Sequence, residues 1–200
     1  LLAKSGNLVQ ARTEIAEALA LHPSSKRALE VADFIVPGAA GDGDRRVLPY
    51  KIFLDVDASG AIRVASAPTA PAQIYGGCRA IMRYEPDVRA AIFGMPRETP
   101  YFLSVVEEVV CLESAIGAYL FERTSEDGPA PPDPSLDALL ELAHREGLSG
   151  YAMFEILGQY RPERARMAPP EVHSAIVRYV QDYVLGGPSE APADTISITL

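Results

Sequence analysis

The 200-residue chain has no tryptophan, only two cysteines (Cys78 and Cys111) and three histidines. Two cysteines are too few for the disulfide framework of a small secreted scaffold, so the redox compartment stays open, with the cytoplasm as the default. No apolar run approaches the ~18–20 residues of a membrane helix, so no membrane partner is expected. Basic residues are in deficit, with 18 Lys+Arg against 27 Asp+Glu and a formal net charge of -9. That balance argues against a nucleic-acid partner, which would call for a basic patch to neutralise phosphates. Phosphate loops of the Gly-x-x-x-x-Gly-Lys-Ser/Thr type, strand-linked Gly-x-Gly-x-x-Gly turns and Gly-x-Ser-x-Gly elbows are all missing, and no cofactor is expected. What the chain does have is 48% hydrophobic residues. That composition can bury a core, which excludes disorder of the whole chain. Seventeen prolines and fifteen glycines are many for a helical protein. Much of the excess falls in connectors after Val36, Phe93, Glu126 and Leu185.

The first residues, Leu1-Leu2-Ala3, read as the last turn of a helix closed at Ser5-Gly6-Asn7, where Gly6 suits a left-handed helix end. From Asn7 to Leu21 an apolar stripe runs through Leu8, Ala11, Ile15, Ala18 and Leu19 at spacings of 3, 4, 3 and 1. This is the 3.6-residue period of a half-buried helix. Pro23 stops it, and Ser24-Ser25 can cap a further helix with Leu29, Ala32 and Phe34-Ile35 as its apolar positions. The string Gly6-Asn7-Leu8-Val9-Gln10-Ala11, then Ile15, Ala18-Leu19 and Pro23, resembles the tetratricopeptide repeat. In that family a Gly turn precedes the second helix of the repeat, small Ala residues allow close packing, and a Pro ends the unit. The resemblance covers about Leu1 to Ile35 and lacks the first half of the repeat; the other reading is an ordinary amphipathic helical hairpin. Since such repeats stack in threes or more, it implies the C-terminal part of a longer protein, with a protein or peptide partner. It carries no individual binding residue, because the groove-lining half of the repeat is mostly missing.

After Gly38-Ala39-Ala40-Gly41-Asp42-Gly43-Asp44, a flexible connection, the period changes from 3.6 to 2. Ile52, Leu54 and Val56, then Ile62 and Val64, alternate with other residues around the turn Asp57-Ala58-Ser59-Gly60. A β-hairpin over about Pro49 to Ser66 follows. An isolated hairpin is marginal in water, so its apolar face needs helices or a third strand, which the β-branched Thr195–Leu200 segment could supply. Asp55, Asp57, Ser59, Gly60 and Ile62 also fall at positions 1, 3, 5, 6 and 8 of an EF-hand-like calcium loop, but position 12 is Ser66 rather than a bidentate Glu. Asp, Ser and Gly are also simply good turn formers. The plain hairpin is the reading taken, with Asp55, Asp57 and Ser59 as the candidate metal ligands if it is wrong.

Helices are expected at Ala72–Tyr84, Tyr101–Arg123, Ser135–Arg145, Ser149–Tyr160 and Glu171–Leu185, with a short turn from Pro86 to Phe93-Gly94. The clearest stripe is Phe102, Val105, Val109, Leu112, Ile116 and Tyr119. Ser135 and Ser149 are the expected N-caps. Gly128–Pro134 is a Pro-rich connector, and Gly186-Gly187-Pro188 opens a tail. Charge is uneven, since residues 125–200 hold 5 Lys+Arg against 12 Asp+Glu. A solvated face is the plain explanation, and a basic partner the bolder one.

Gly76-Gly77-Cys78-Arg79 offers the one candidate nucleophile. If the glycine pair sets a helix start, Cys78 sits at a helix N-terminus, where a thiolate is favoured, as in papain-like and transglutaminase-like enzymes. The histidines downstream, His144 and His173, fall on expected helices, whereas those enzymes carry theirs on a strand. The stripe Ile74, Tyr75, Cys78, Ile81 and Met82 equally explains Cys78 as a core residue, and a disulfide with Cys111 is left open. Glu141-x-x-His144 is a single metal motif where a di-iron bundle needs two, so no metal is expected there. Most of the nine tyrosines suit half-buried helix faces. Arg79, Arg83 and Arg89, expected as exposed neighbours, suggest a small anion or acidic-peptide site.

The sequence therefore implies a mainly α protein: repeat-like helices over 1–36, a linker over 37–47, a β-hairpin over 48–67, a helical domain over 72–185 and a tail over 186–200. The expected role is a protein-interaction or scaffold module, with leaning against an enzyme. The alternatives are a thiol enzyme using Cys78 and an accessory domain of an upstream enzyme.

Overall fold

A computed structural model describes residues 7–37, 39, 52–125 and 130–186. The helix end expected at Leu1–Ala3, most of the Gly38–Asp44 connector, the Thr195–Leu200 strand and most of the tail lie outside these residues. Within them the protein is mainly helical with one small antiparallel hairpin.

Two capped helices open the described chain. Helix α1 (Leu8–Leu21) is capped by Asn7, whose side-chain oxygen accepts from the Gln10 amide at 3.3 Å, and α2 (Lys26–Ile35) by Ser25, which accepts from Ala28. Such caps satisfy amides that have no partner in the first turn. The buried line of α1 is Ala11, Ala16, Leu19 and Ala20. It is rotated from the expected stripe, leaving Leu8 exposed, because alanines let α1 lie close against α2 and the C-terminal helices. Helix α2 buries Ala28 and Ala32, one turn apart. Phe34, expected in the apolar set, falls two residues past Ala32 and so points away from that row, 71% exposed.

Strands β1 (Phe53–Val56) and β2 (Ile62–Ala65) pair with Leu54 opposite Val64 and Val56 opposite Ile62. The turn between them needs Gly60, whose φ is +84°. The hairpin leans on α3 (Ala70–Tyr84) at Gly76, where a built Cβ would lie 2.8 Å from Val64 Cγ1 and 3.7 Å from Ile52 Cγ2. Absence of a side chain at Gly76 is what lets strand and helix approach.

Helix α3 is followed by α4 (Pro86–Phe93), closed by Gly94 in the left-handed region, and by α5 (Val105–Arg123). The expected start of α5 at Tyr101 is corrected to Val105. Ser104 and Glu107 form a reciprocal capping box there, so the preceding residues stay non-helical. The ties between α3 and α5 include a hydrogen bond from Tyr75 to Glu108 and a disulfide from Cys78 to Cys111 with Cα atoms 5.4 Å apart. Both pairs are 33 residues apart. Advancing three residues on one helix advances three on the other, so α3 and α5 run alongside in the same direction.

Helix α6 (Pro134–His144) is capped by Asp133, which accepts from the Ser135 and Leu136 amides, and not by Ser135 as expected. Proline at the first helical position makes this the natural start. Helix α7 (Leu148–Tyr151) likewise begins after Gly147, one residue before the expected cap Ser149. It continues through a π-helical turn (Ala152–Leu157) into α8 (Gly158–Tyr160), followed by α9 (Pro162–Arg166). Helix α10 (Pro170–Tyr179) also ends in a π-helical turn (Val180–Val184), closed by the Leu185 amide donating to Val180 O at 2.8 Å. None of the helices described is long and apolar enough to cross a membrane.

The core joins both ends of the chain. Leu19, Leu112, Phe154, Ile176, Val180 and Leu185 are fully buried in one cluster. Arg12 on α1 donates to Leu185 O, and Glu17 meets His173 of α10 at 2.9 Å. Tyr179 centres an aromatic group, with Tyr151, Phe154 and Tyr183 rings 5.5–5.8 Å away. Burial of Tyr75, Tyr119, Tyr151 and Tyr179 is the packing role expected of the tyrosines. At Gly150, α7 touches α10 so closely that a Cβ would lie 2.3 Å from Ala175 O.

Two stability outcomes follow. Gly150→Ala should cost about 3 kcal/mol or prevent folding, whereas Gly117→Ala, with open space at its Cβ, should stabilise by up to ~1 kcal/mol; thermal unfolding of both variants checks the pair. Replacing Cys78 and Cys111 together by Ala should cost about 3 kcal/mol in urea denaturation, and reductant should then have no further effect on the variant.

Candidate functional site

The expected nucleophile is in the interior of α3, since that helix starts at Ala70 and not at the glycine pair. The sulfur of Cys78 is bonded to Cys111. While the bond stands there is no thiolate. His173 is engaged with Glu17, and His144 is exposed in the last turn of α6. At the hairpin turn, one Asp57 oxygen accepts from the Ser59 amide (2.9 Å), the Ser59 hydroxyl and the Ala61 amide (3.1 Å), while the other meets Arg63 at 3.2 Å. These bonds, the Ser59 hydroxyl first, hold the Asp57 carboxyl below the usual aspartate range. Asp55 accepts from the Val56 amide. The Asp57 carboxylate thus serves its own turn. Among the described residues no three His, Cys, Asp or Glu side chains gather as metal ligands.

Two carboxylates are buried between α3, α4 and α5. Glu108, fully buried, takes a hydrogen bond from the Tyr75 hydroxyl and one from Arg79 Nη1 at 2.6 Å. Glu107 closes the α5 capping box and lies 3.9 Å from Arg89, which donates to Thr99 O. Burial pushes the Glu108 carboxyl up, against the pull of Arg79. Burial and then the Glu108 charge push the Tyr75 phenol far up. Burial opposes the Arg79 charge, but Glu108, Tyr75 and Tyr101 together outweigh it. The expectation that Arg79 and Arg89 are exposed beside Arg83 is therefore corrected. Arg79 is largely covered and Arg89 is buried, because the two carboxylates behind them need positive partners out of water.

Arg83 stays outside. It borders a cavity of about 360 Å³ lined by Tyr101, Phe102, Leu103, Ile156, Leu157, Arg161 and Arg164. The wall is built from four pieces: the last turn of α3, the non-helical stretch before α5, the first π-helical turn, and the α8–α9 corner. Arg164 lies over the Phe102 ring at 5.2 Å and donates to Leu103 O, which fixes the stretch before α5. Arg83 lies over the Tyr84 ring at 5.1 Å. Arg161 has a loose partner, Glu163, at 3.8 Å. Among the described residues no carboxylate pairs with Arg83 or Arg164. Tyr101 joins the cavity to the buried cluster, with Arg89 over its ring at 5.5 Å and its phenol pushed up by burial. An apolar floor with cationic groups at its edge can hold an anion attached to an apolar body. The π-helical turn supplying Ile156 and Leu157 belongs to a class of distortion found often at functional sites.

Arg161 and Arg164 were not among the residues expected to form a site. The signal was nevertheless present: Arg161-Pro-Glu-Arg164-Ala-Arg166 holds three of the five basic residues in the acidic stretch 125–200.

Comparison with known protein families, curated proteins and solved structures returned no match for this chain.

The buried cluster has a testable electrostatic consequence. A carboxyl raised by burial holds its proton more tightly in the native state than unfolded, where it titrates near 4.5. Stability from this group is complete below that pH and is lost as pH rises through the native value. Glu108→Gln should therefore gain stability relative to the natural chain as pH rises from 5 to 8, seen as diverging urea midpoints. Tyr75→Phe, by contrast, should cost about 2 kcal/mol at neutral pH, because it removes a hydrogen bond to a buried carboxylate.

Proposed function

We propose that the chain is a protein-interaction module that holds an acidic segment of a protein partner in the arginine-lined cavity. The observation that carries this reading is the meeting of Arg83, Arg161 and Arg164 around an apolar floor in a chain whose formal charge is -9. In an acidic protein most cations have a carboxylate within reach, and a cluster with one loose partner is where a foreign anion is best accepted. Leu103, Ile156 and Leu157 beside it favour an apolar side chain next to the acidic one. The oxidised Cys78 further weighs against the thiol-enzyme alternative.

A tetratricopeptide-like N-terminus belongs to the same proposal. Helix α1 would take the part of the repeat's second helix, with Ala11 buried, Ile15 and Ala18 half-buried and Pro23 following it. A role in protein binding is common to both features, although the cavity lies on other elements.

Fluorescence anisotropy with labelled peptides tests the reading. A peptide alternating Glu with Leu or Phe should bind, and a Lys counterpart should not. Arg83→Glu and Arg161→Glu, both at exposed positions, should each weaken binding about tenfold, or ~1.4 kcal/mol, without lowering the melting temperature. Binding that survives both reversals would remove the cavity from the interaction.

A further inference from the structure

The charge around the cavity says more about the anion than its sign. Three arginines line the cavity, and among the described residues the one carboxylate paired with any of them is Glu163, 3.8 Å from Arg161. The surplus is two positive charges. A single carboxylate would match half of it, whereas a dianion matches the whole. A phosphomonoester carries about -1.5 to -2 at neutral pH and presents three acceptor oxygens to the planar forks of arginine.

The cavity also exceeds what a bare ion needs. Its volume of about 360 Å³ falls in the range of pockets that enclose a side chain or small ligand. Phe102, Leu103, Ile156 and Leu157 supply apolar wall, and Arg164 already lies over the Phe102 ring. An anion on an apolar or aromatic body satisfies both halves of the lining.

Resting on the interaction reading above, we propose that the group held in this cavity is a phosphomonoester on an aromatic body, as a phosphorylated tyrosine side chain of the partner presents it. The second ionisation of such a group falls near pH 6, so its capture strengthens as pH rises from 5 to 7.5. The charged and titratable groups around it are Arg83 from α3, Tyr101, and Arg161, Glu163 and Arg164 from the α8–α9 corner, with Arg79, Arg89, Glu107 and Glu108 behind Tyr101. No histidine lines the cavity. Tyr101, raised by burial, remains a neutral donor and adds no competing negative charge. Any loss of a proton by Glu108 behind Tyr101 as pH rises weakens every anion in the cavity, opposite in sign to the effect of the ligand's own ionisation. A monoanion of the same shape therefore isolates the ligand's own ionisation.

The experiment titrates the whole chain with phenyl phosphate, phenyl sulfate, benzoate and inorganic phosphate, followed by calorimetry or amide shifts at pH 5.0 and 7.5. At pH 7.5 phenyl phosphate should bind at least tenfold more tightly than the other three, and at pH 5.0 its advantage over phenyl sulfate should largely vanish. Arg83→Glu and Arg161→Glu should abolish the preference. Equal affinity for phenyl phosphate and phenyl sulfate at pH 7.5 overturns the dianion. Equal affinity for inorganic phosphate overturns the aromatic body. If no small anion binds while the Glu-containing peptide still does, this inference falls and the interaction module stands. If the peptide fails as well, both fall.

Discussion

Glu108 is a carboxylate with no access to water, and the arrangement of α3 against α5 answers its need for partners. Tyr75 and Arg79 reach it from one face of α3, one turn apart, and Cys78 on that face bonds to Cys111, one turn beyond Glu108. An unpartnered buried charge costs several kcal/mol, so any displacement of one helix along the other would expose that penalty. The disulfide opposes the same displacement covalently. Polar register and covalent staple thus specify one alignment, and with it the direction in which the two helices run.

Placement of the arginines follows from that alignment. Glu107 and Glu108 draw Arg89 and Arg79 inward, and Arg83, one turn past Arg79, is left at the mouth of the cavity. Arg164 fixes the non-helical stretch before α5 through Leu103 O. Tyr101, on that stretch, has a buried cation on one side and the cavity on the other. Core electrostatics and the candidate site are therefore parts of one structure, joined at a single short segment. Contact of α1 with α10 and the π-helical turn after it draws the N-terminal helices into the same core.

Much of the helical content was legible because periodicity is a local signal. Burial of Leu112, Ile116 and Tyr119, the Pro86 start, the Gly94 stop and the Ser25 cap all depend on residues within a turn of each other, whereas Phe102, expected on the same stripe, is exposed. Alternation and an Asp-x-Ser-Gly turn revealed the hairpin for the same reason. Misread starts arose where two local signals competed: Ser135 against Asp133 with Pro134 behind it, and an apolar stripe beginning at Tyr101 against the capping box at Ser104. The π-helical turns left no such mark. Nor did the cavity, whose lining comes from residues 83, 101–103, 156–157 and 161–164. Arg83 was expected at an anion site, whereas Arg161 and Arg164 are marked in the sequence by the scarcity of cations around them.

The sequence by itself determined the mainly helical class, the hairpin, the acidic surface and the number of cations available, since propensity, period and composition are properties of neighbours and sums. Tertiary structure alone decided which arginines are consumed and which remain. That choice depends on where Glu107 and Glu108 become desolvated, a condition created only when α3 and α5 come together. The same contact turned Cys78 from a possible nucleophile into half of a bond. The scarcity of cysteine and of positive charge tells how few such groups there are. How each is used depends on what the fold places beside it.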